Sequence, residues 1–142
     1  MVDVTAKEVS VRRAIAAGCV TTTPGVLELL QRDGLPKGDA LAVARIAGIM
    51  AAKRTPDLIP LCHPIALHGV TVEFVLGSSQ VEITATVKTA DRTGVEMEAL
   101  TAVAGAGLTL IDMIKAVDPA ATLDQIRVLR KEGGKTGDWD RP

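Results

Sequence analysis

Aromatic residues are almost missing from this chain: Phe74 and Trp139 are the only two, and there is no tyrosine. Its core must therefore be assembled from Ala, Val, Leu and Ile, small residues that let backbones approach closely. Cysteine is equally scarce, and Cys19 and Cys62 are too few for a disulfide framework. No charged start followed by an apolar leader opens the chain, so the expected compartment is the cytoplasm. The longest apolar run, Ala99 to Ile111, is broken by Thr101, Thr109 and glycines and is too short to span a bilayer, so no membrane helix is expected. Charge of one sign is lacking as well, with 16 Lys and Arg against 17 Asp and Glu and a net charge of −1. That balance gives no global case for nucleic acid or an anionic membrane as partner, and any basic site must be local.

What is present suits one domain over residues 1–142, long enough to bury a core. A hydrophobic content of 47% and a mean hydropathy of +0.27 leave more apolar surface than one small globule hides. A homo-oligomer is the expectation.

Along the chain, Val9 to Val20 has β-branched ends around an Ala-rich middle and reads as a strand. Thr23-Pro24 opens a short helix, "PGVLELLQRDG", that Gly34 stops. "KGDALAVARIAGIMAAKR" is a second helix with Asp39 as its cap. The three prolines of "TPDLIPLCHPI" predict an ordered loop rather than a helix. Val70 to Leu76 and Val81 to Lys88 alternate apolar and polar residues across Gly77-Ser78-Ser79, the pattern of a hairpin. A long helix follows from Thr93 to Val117, ended by Asp118-Pro119, then a strand "TLDQIRVL" and a Gly-rich tail. Strand, helices, strand, strand, helix, strand predicts an α+β sandwich of the split βαβ kind: a mostly antiparallel four-stranded sheet with helices on one face.

The long helix carries chemistry that its apolar surroundings do not require. Thr101, Leu108, Asp112 and Lys115 fall within about a quarter of its circumference, and Glu98 joins them. Asp112 and Lys115, three apart, can touch. Two readings stand: a solvated edge with a surface ion pair, or a polar pair facing a cleft, where the two groups would tune each other for proton transfer.

"LCHP" places Cys62 beside His63, but neighbours on extended backbone point apart, which makes a poor nucleophile–base pair. A zinc site would need nearly all of Cys19, Cys62, His63 and His68 without any usual spacing, so no metal is expected. The loop histidine either caps backbone groups or, with Cys62, hydrogen-bonds a ligand. Gly134-Lys135-Thr136 looks like the end of a Walker loop, but Leu129 stands where that motif needs glycine. What remains is a flexible segment with Lys131 and Lys135, either a basic tail or a seat for a polyphosphate. Lys37 in "PKGD" adds a cation near a helix end.

Together "KGDALAVARIAGIMAAKRTPDLIPLCHPI", "TGVEMEALTAV", "LTLIDMIKAV" and "KEGGKTGDW" resemble the cyclic pyranopterin monophosphate synthase family of molybdenum cofactor biosynthesis, in order from Met1 to Trp139. The resemblance implies a ferredoxin-like sandwich assembled as a homohexamer, a trimer of dimers, with sites at subunit interfaces. It implies a lyase that converts 3′,8-cyclo-7,8-dihydroguanosine 5′-triphosphate, a cyclised dihydro-GTP nucleotide, into cyclic pyranopterin monophosphate and pyrophosphate. No cofactor is implied beyond Mg²⁺ that could accompany the triphosphate. The family's catalytic pair falls on Asp112 and Lys115. Its substrate-contacting positions fall on Leu61, Cys62, His63, Met97 and Glu98, and its lysines on Lys37, Lys131 and Lys135. Ile111 stands where relatives often carry Tyr, and the chain starts without a short N-terminal extension many of them have. The rival from another class is a non-catalytic, nucleotide-binding sensor module.

Overall fold

A computed structural model describes residues 1–142. The chain runs β1 (Ser10–Thr21), α1 (Pro24–Gln31), α2 (Ala40–Lys53), α3 (Thr55–Leu58), β2 (Gly69–Leu76), β3 (Gln80–Asp91), α4 (Glu96–Ile114), β4 (Thr122–Glu132) and β5 (Trp139–Asp140). The sheet order is β2-β3-β1-β4-β5, and every neighbouring pair is antiparallel. Because β3 is antiparallel to both β1 and β2, those two run in the same direction with β3 inserted between them. This is the split βαβ arrangement, and the right-handed crossover rule puts the helices of both halves on one face. The α+β, ferredoxin-like expectation holds.

Local signals explain the elements. Thr23 accepts a hydrogen bond from the Val26 amide at the start of α1, and Asp39 accepts from the Ala42 amide at the start of α2, each satisfying a donor that a helix leaves free. In β3, Val81, Ile83, Ala85 and Val87 are buried while Glu82 and Lys88 are exposed, the period of two that a half-covered strand requires. Ala14, Ala16 and Val20 of β1 join them beneath Ala99, Val103, Ala106 and Leu110 of α4.

The seam between α2 and α4 shows what the shortage of aromatics permits. A Cβ added at Gly48 would lie 2.9 Å from the Ala102 carbonyl oxygen, and one at Gly105 would lie 2.5 Å from the Ala51 Cβ. The two helices therefore touch almost backbone to backbone. At the far end of the core the Thr22 hydroxyl donates to Asp118 Oδ2 at 2.7 Å, a buried bond that ties the end of β1 to the segment after α4.

Three expectations need correction. The "TPDLIPLCHPI" segment is not all loop, because Thr55–Leu58 forms a one-turn helix; Pro56 sits in its first turn, where a missing N–H costs nothing. The sheet has five strands rather than four. The last long strand continues past Leu129 to Glu132, and the Gly-rich tail folds back so that Trp139 pairs with Lys131 and Asp140 with Arg130. By length and hydropathy alone α4 matches a bilayer span, but more than half of that stretch is buried, packed on the sheet and α2 as a core helix is.

Candidate active site

The first turn of α4 opens onto a cavity of about 430 Å³. Its walls come from the loop after α3 (Leu61, Cys62, His63), the entry to α4 (Gly94, Glu96, Met97, Glu98), the start of β1 (Arg12, Arg13) and the end of β4 with its turn (Lys131 to Thr136), with Lys7 at the rim. Cations outnumber carboxylates here. Lys131 donates to the Thr136 hydroxyl at 2.9 Å and lies 3.9 Å from Glu96. Arg13 bonds Glu132 at 3.1 Å, and its buried Nε has no partner. Uncapped N–H groups at the start of a helix add positive potential.

On the same wall lies Glu98, 3% exposed. Burial raises its carboxyl above the ordinary value, its own backbone opposes that, and neighbouring Glu96 adds to the rise. Cys62 is raised too, first by burial and then by Glu98, so at neutral pH it is a thiol and not a nucleophilic thiolate. His63 Nε2 lies 2.7 Å from the Val2 carbonyl. A carbonyl only accepts, so this nitrogen carries the hydrogen.

The other end of α4 is different. Lys115, the residue that closes the helix, donates to Asp112 Oδ1 at 2.6 Å. Lys37, from the loop before α2, donates to Asp112 Oδ2 at 2.8 Å and to its carbonyl at 3.2 Å. Bonds from Lys115 first and Lys37 second hold the Asp112 carboxyl down at about 2. Asp112 is therefore an anion at any physiological pH. Its side chain is 51% exposed, so the triad lies open on the surface of the protomer.

Seven of the predicted site residues thus gather around one cavity: Leu61, Cys62, His63, Met97, Glu98, Lys131 and Lys135. Asp112, Lys115 and Lys37 gather elsewhere. Fourteen residues separate Glu98 from Asp112, about 21 Å along a helix. The polar stripe is real at both ends but not uniform: Glu98 and Thr101 are buried, whereas Leu108 is exposed. Lys37 sits with the acid rather than with the tail lysines. Ile111 packs against the core. Cys19 and His68 lie outside the cavity wall. Sequence reasoning missed Lys7, Arg12, Arg13 and Glu96. Two adjacent arginines in an otherwise apolar strand were the available signal.

Comparison with known proteins decides the family. The MoaC family matches residues 1–134. The chain belongs to it. Among MoaC relatives, the cyclic pyranopterin monophosphate synthase 2 of Mycobacterium bovis is 64% identical over 141 residues, 99% of this chain and 84% of the relative. The cyclic pyranopterin monophosphate synthase of Streptomyces griseus is 64% identical over 99% of this chain and 80% of its own length. That of Corynebacterium glutamicum is 60% identical over 98% and 89%. The match to residues 1–134 spans the open triad and the whole cavity wall except Lys135 and Thr136.

Proposed function

We propose that this chain is a lyase of molybdenum cofactor biosynthesis that converts 3′,8-cyclo-7,8-dihydroguanosine 5′-triphosphate into cyclic pyranopterin monophosphate with release of pyrophosphate. The observation that carries the reading is the mixed lining of the cavity. Lys131, Lys135, Arg12 and Arg13 supply cations for an anionic ligand, and Glu98, the Cys62 thiol and His63 supply hydrogen-bonding groups suited to a polar ring system. Relatives named for this product at 60–64% identity support it.

In this reading an internal hydroxyl attacks the α-phosphorus, the bond to the bridging oxygen breaks, and pyrophosphate leaves. Ammonium groups spread over the leaving oxygens offset its charge. The proton that the attacking hydroxyl loses passes to the coupled Asp112–Lys115 pair, which titrates as a unit. Mg²⁺ would come with the triphosphate. Glu98 of the cavity and Asp112 stand about 21 Å apart along one helix, so the site closes only when one protomer's triad meets another's cavity. A homohexamer built as a trimer of dimers supplies such pairs. Exposed Val43, Ile46 and Met50 along α2, with Leu108 of α4, give the apolar surface for assembly. The cytoplasm is the compartment we assign.

The test is direct. Purified protein incubated with the cyclised nucleotide should release one pyrophosphate per pterin product. Binding without release would point to a sensor module instead.

A further inference from the structure

The turn carrying the cationic end of the cavity is intrinsically loose. Gly133, Gly134 and Gly137 all take positive φ, at 84°, 84° and 71°, and glycines of this kind give a free chain many alternatives. One side chain closes both ends of that turn. Arg130 donates from Nε to Glu132 at 2.7 Å and from Nη1 to Asp140 at 3.2 Å, and its Nη2 lies 3.9 Å from Asp138. Asp138 in turn accepts from the Gly133 amide at 3.0 Å. In register, Lys131 pairs with buried Ala14 and Arg130 with Ile15, so successive side chains place Lys131 on the helix side of the sheet and Arg130 on the opposite side. Arg130 itself does not line the cavity.

We propose that Arg130 is a positioning residue: from behind the sheet its guanidinium pins the 133–137 turn and so sets where Lys131, Lys135 and Thr136 meet a phosphate. It also occupies three carboxylates that would otherwise repel an anion beside the cavity. A planar fork can serve several carboxylates at once, whereas a lysine ammonium is a single point charge. This rests on the reading of the cavity's cationic end as a polyphosphate seat.

The experiment measures inorganic pyrophosphate binding by calorimetry, steady-state kinetics with the cyclised nucleotide, and amide hydrogen exchange at the three glycines. Variants are Arg130→Gln, Arg130→Lys, Asp140→Asn and Lys131→Ala. Arg130→Gln should weaken pyrophosphate about tenfold and raise KM similarly with kcat within about twofold, while exchange at the glycines accelerates. Asp140→Asn, a surface change that removes one partner of Arg130, should act in the same direction by about two- to threefold, and it carries the test if Arg130→Gln does not fold. Weakened binding in Lys131→Ala but unchanged binding in both Arg130→Gln and Asp140→Asn overturns the positioning role alone. Unchanged binding in Lys131→Ala as well overturns the polyphosphate seat and the proposal with it. Full rescue by Arg130→Lys also overturns it, since a lone positive charge would then suffice.

Discussion

The two ends of α4 carry ionisable groups in opposite circumstances. At the first turn Glu98 is enclosed, pushed towards neutrality and without an ammonium or guanidinium bonded to it. At the last turn Asp112 is half exposed, bonded by two ammoniums and held ionised. One helix thus keeps a carboxyl that resists ionisation and one that resists protonation, and the difference comes from cover and partners rather than residue type. Enclosure suits recognition of a neutral ring; an open ion triad suits a role that another surface completes.

The largest expected effect tests the open end. Asp112→Ala or Lys115→Ala should lower turnover by roughly 10²- to 10⁴-fold, the range for loss of a positioned proton carrier, with the fold kept and the melting temperature lowered only slightly, because exposed ion pairs contribute little. A carboxyl titration followed by NMR should find Asp112 ionised throughout the neutral range. Its folded value is depressed, so its stabilising contribution is present above the unfolded value and lost as pH falls through about 2.

Mixing then asks whether the two ends serve one site. Inactive Asp112→Ala chains refolded with inactive Lys131→Ala chains should recover about a quarter of the wild-type rate, because random assembly restores one site in four when each needs an end from two protomers. No recovery would mean that each protomer works alone or that the cavity is not the seat.

Gly48→Ala addresses the seam that fixes the helix between its ends. A methyl group there meets the Ala102 carbonyl, which cannot swing away as a side chain can, so chemical denaturation should show a loss of about 1–3 kcal/mol. The smallest effect is at Glu98. Its folded value is raised, so the fold favours the protonated form and ionisation costs stability as pH rises through that value. Glu98→Gln should therefore melt higher than wild type at pH 7 to 8, with the gap closing below the ordinary carboxyl value of 4.5.

Much of this was legible in the residues. Alternation in Val81 to Val87, the Asp39 cap and the three-residue step from Asp112 to Lys115 are local facts, and each survives in the structure. Non-local facts were not legible. Nothing in "KEGGKTG" says that the segment folds back, because a two-residue strand is held by pairing and by Arg130 rather than by propensity. Lys37 looked like a partner for the tail lysines because all three are cations in matching strings, yet the loop before α2 delivers it to Asp112. The stripe along α4 suggested one face and one site; only the cover over Glu98 and its absence over Asp112 divides it in two.

With so little side chain between α2 and α4, the long helix has no slack in which to roll or slide. Its termini keep a constant spacing and azimuth, as marks on a ruler do. In the assembly proposed above, a neighbour docked against one mark would be committed at the other, and turnover would report how faithfully the copies are stacked.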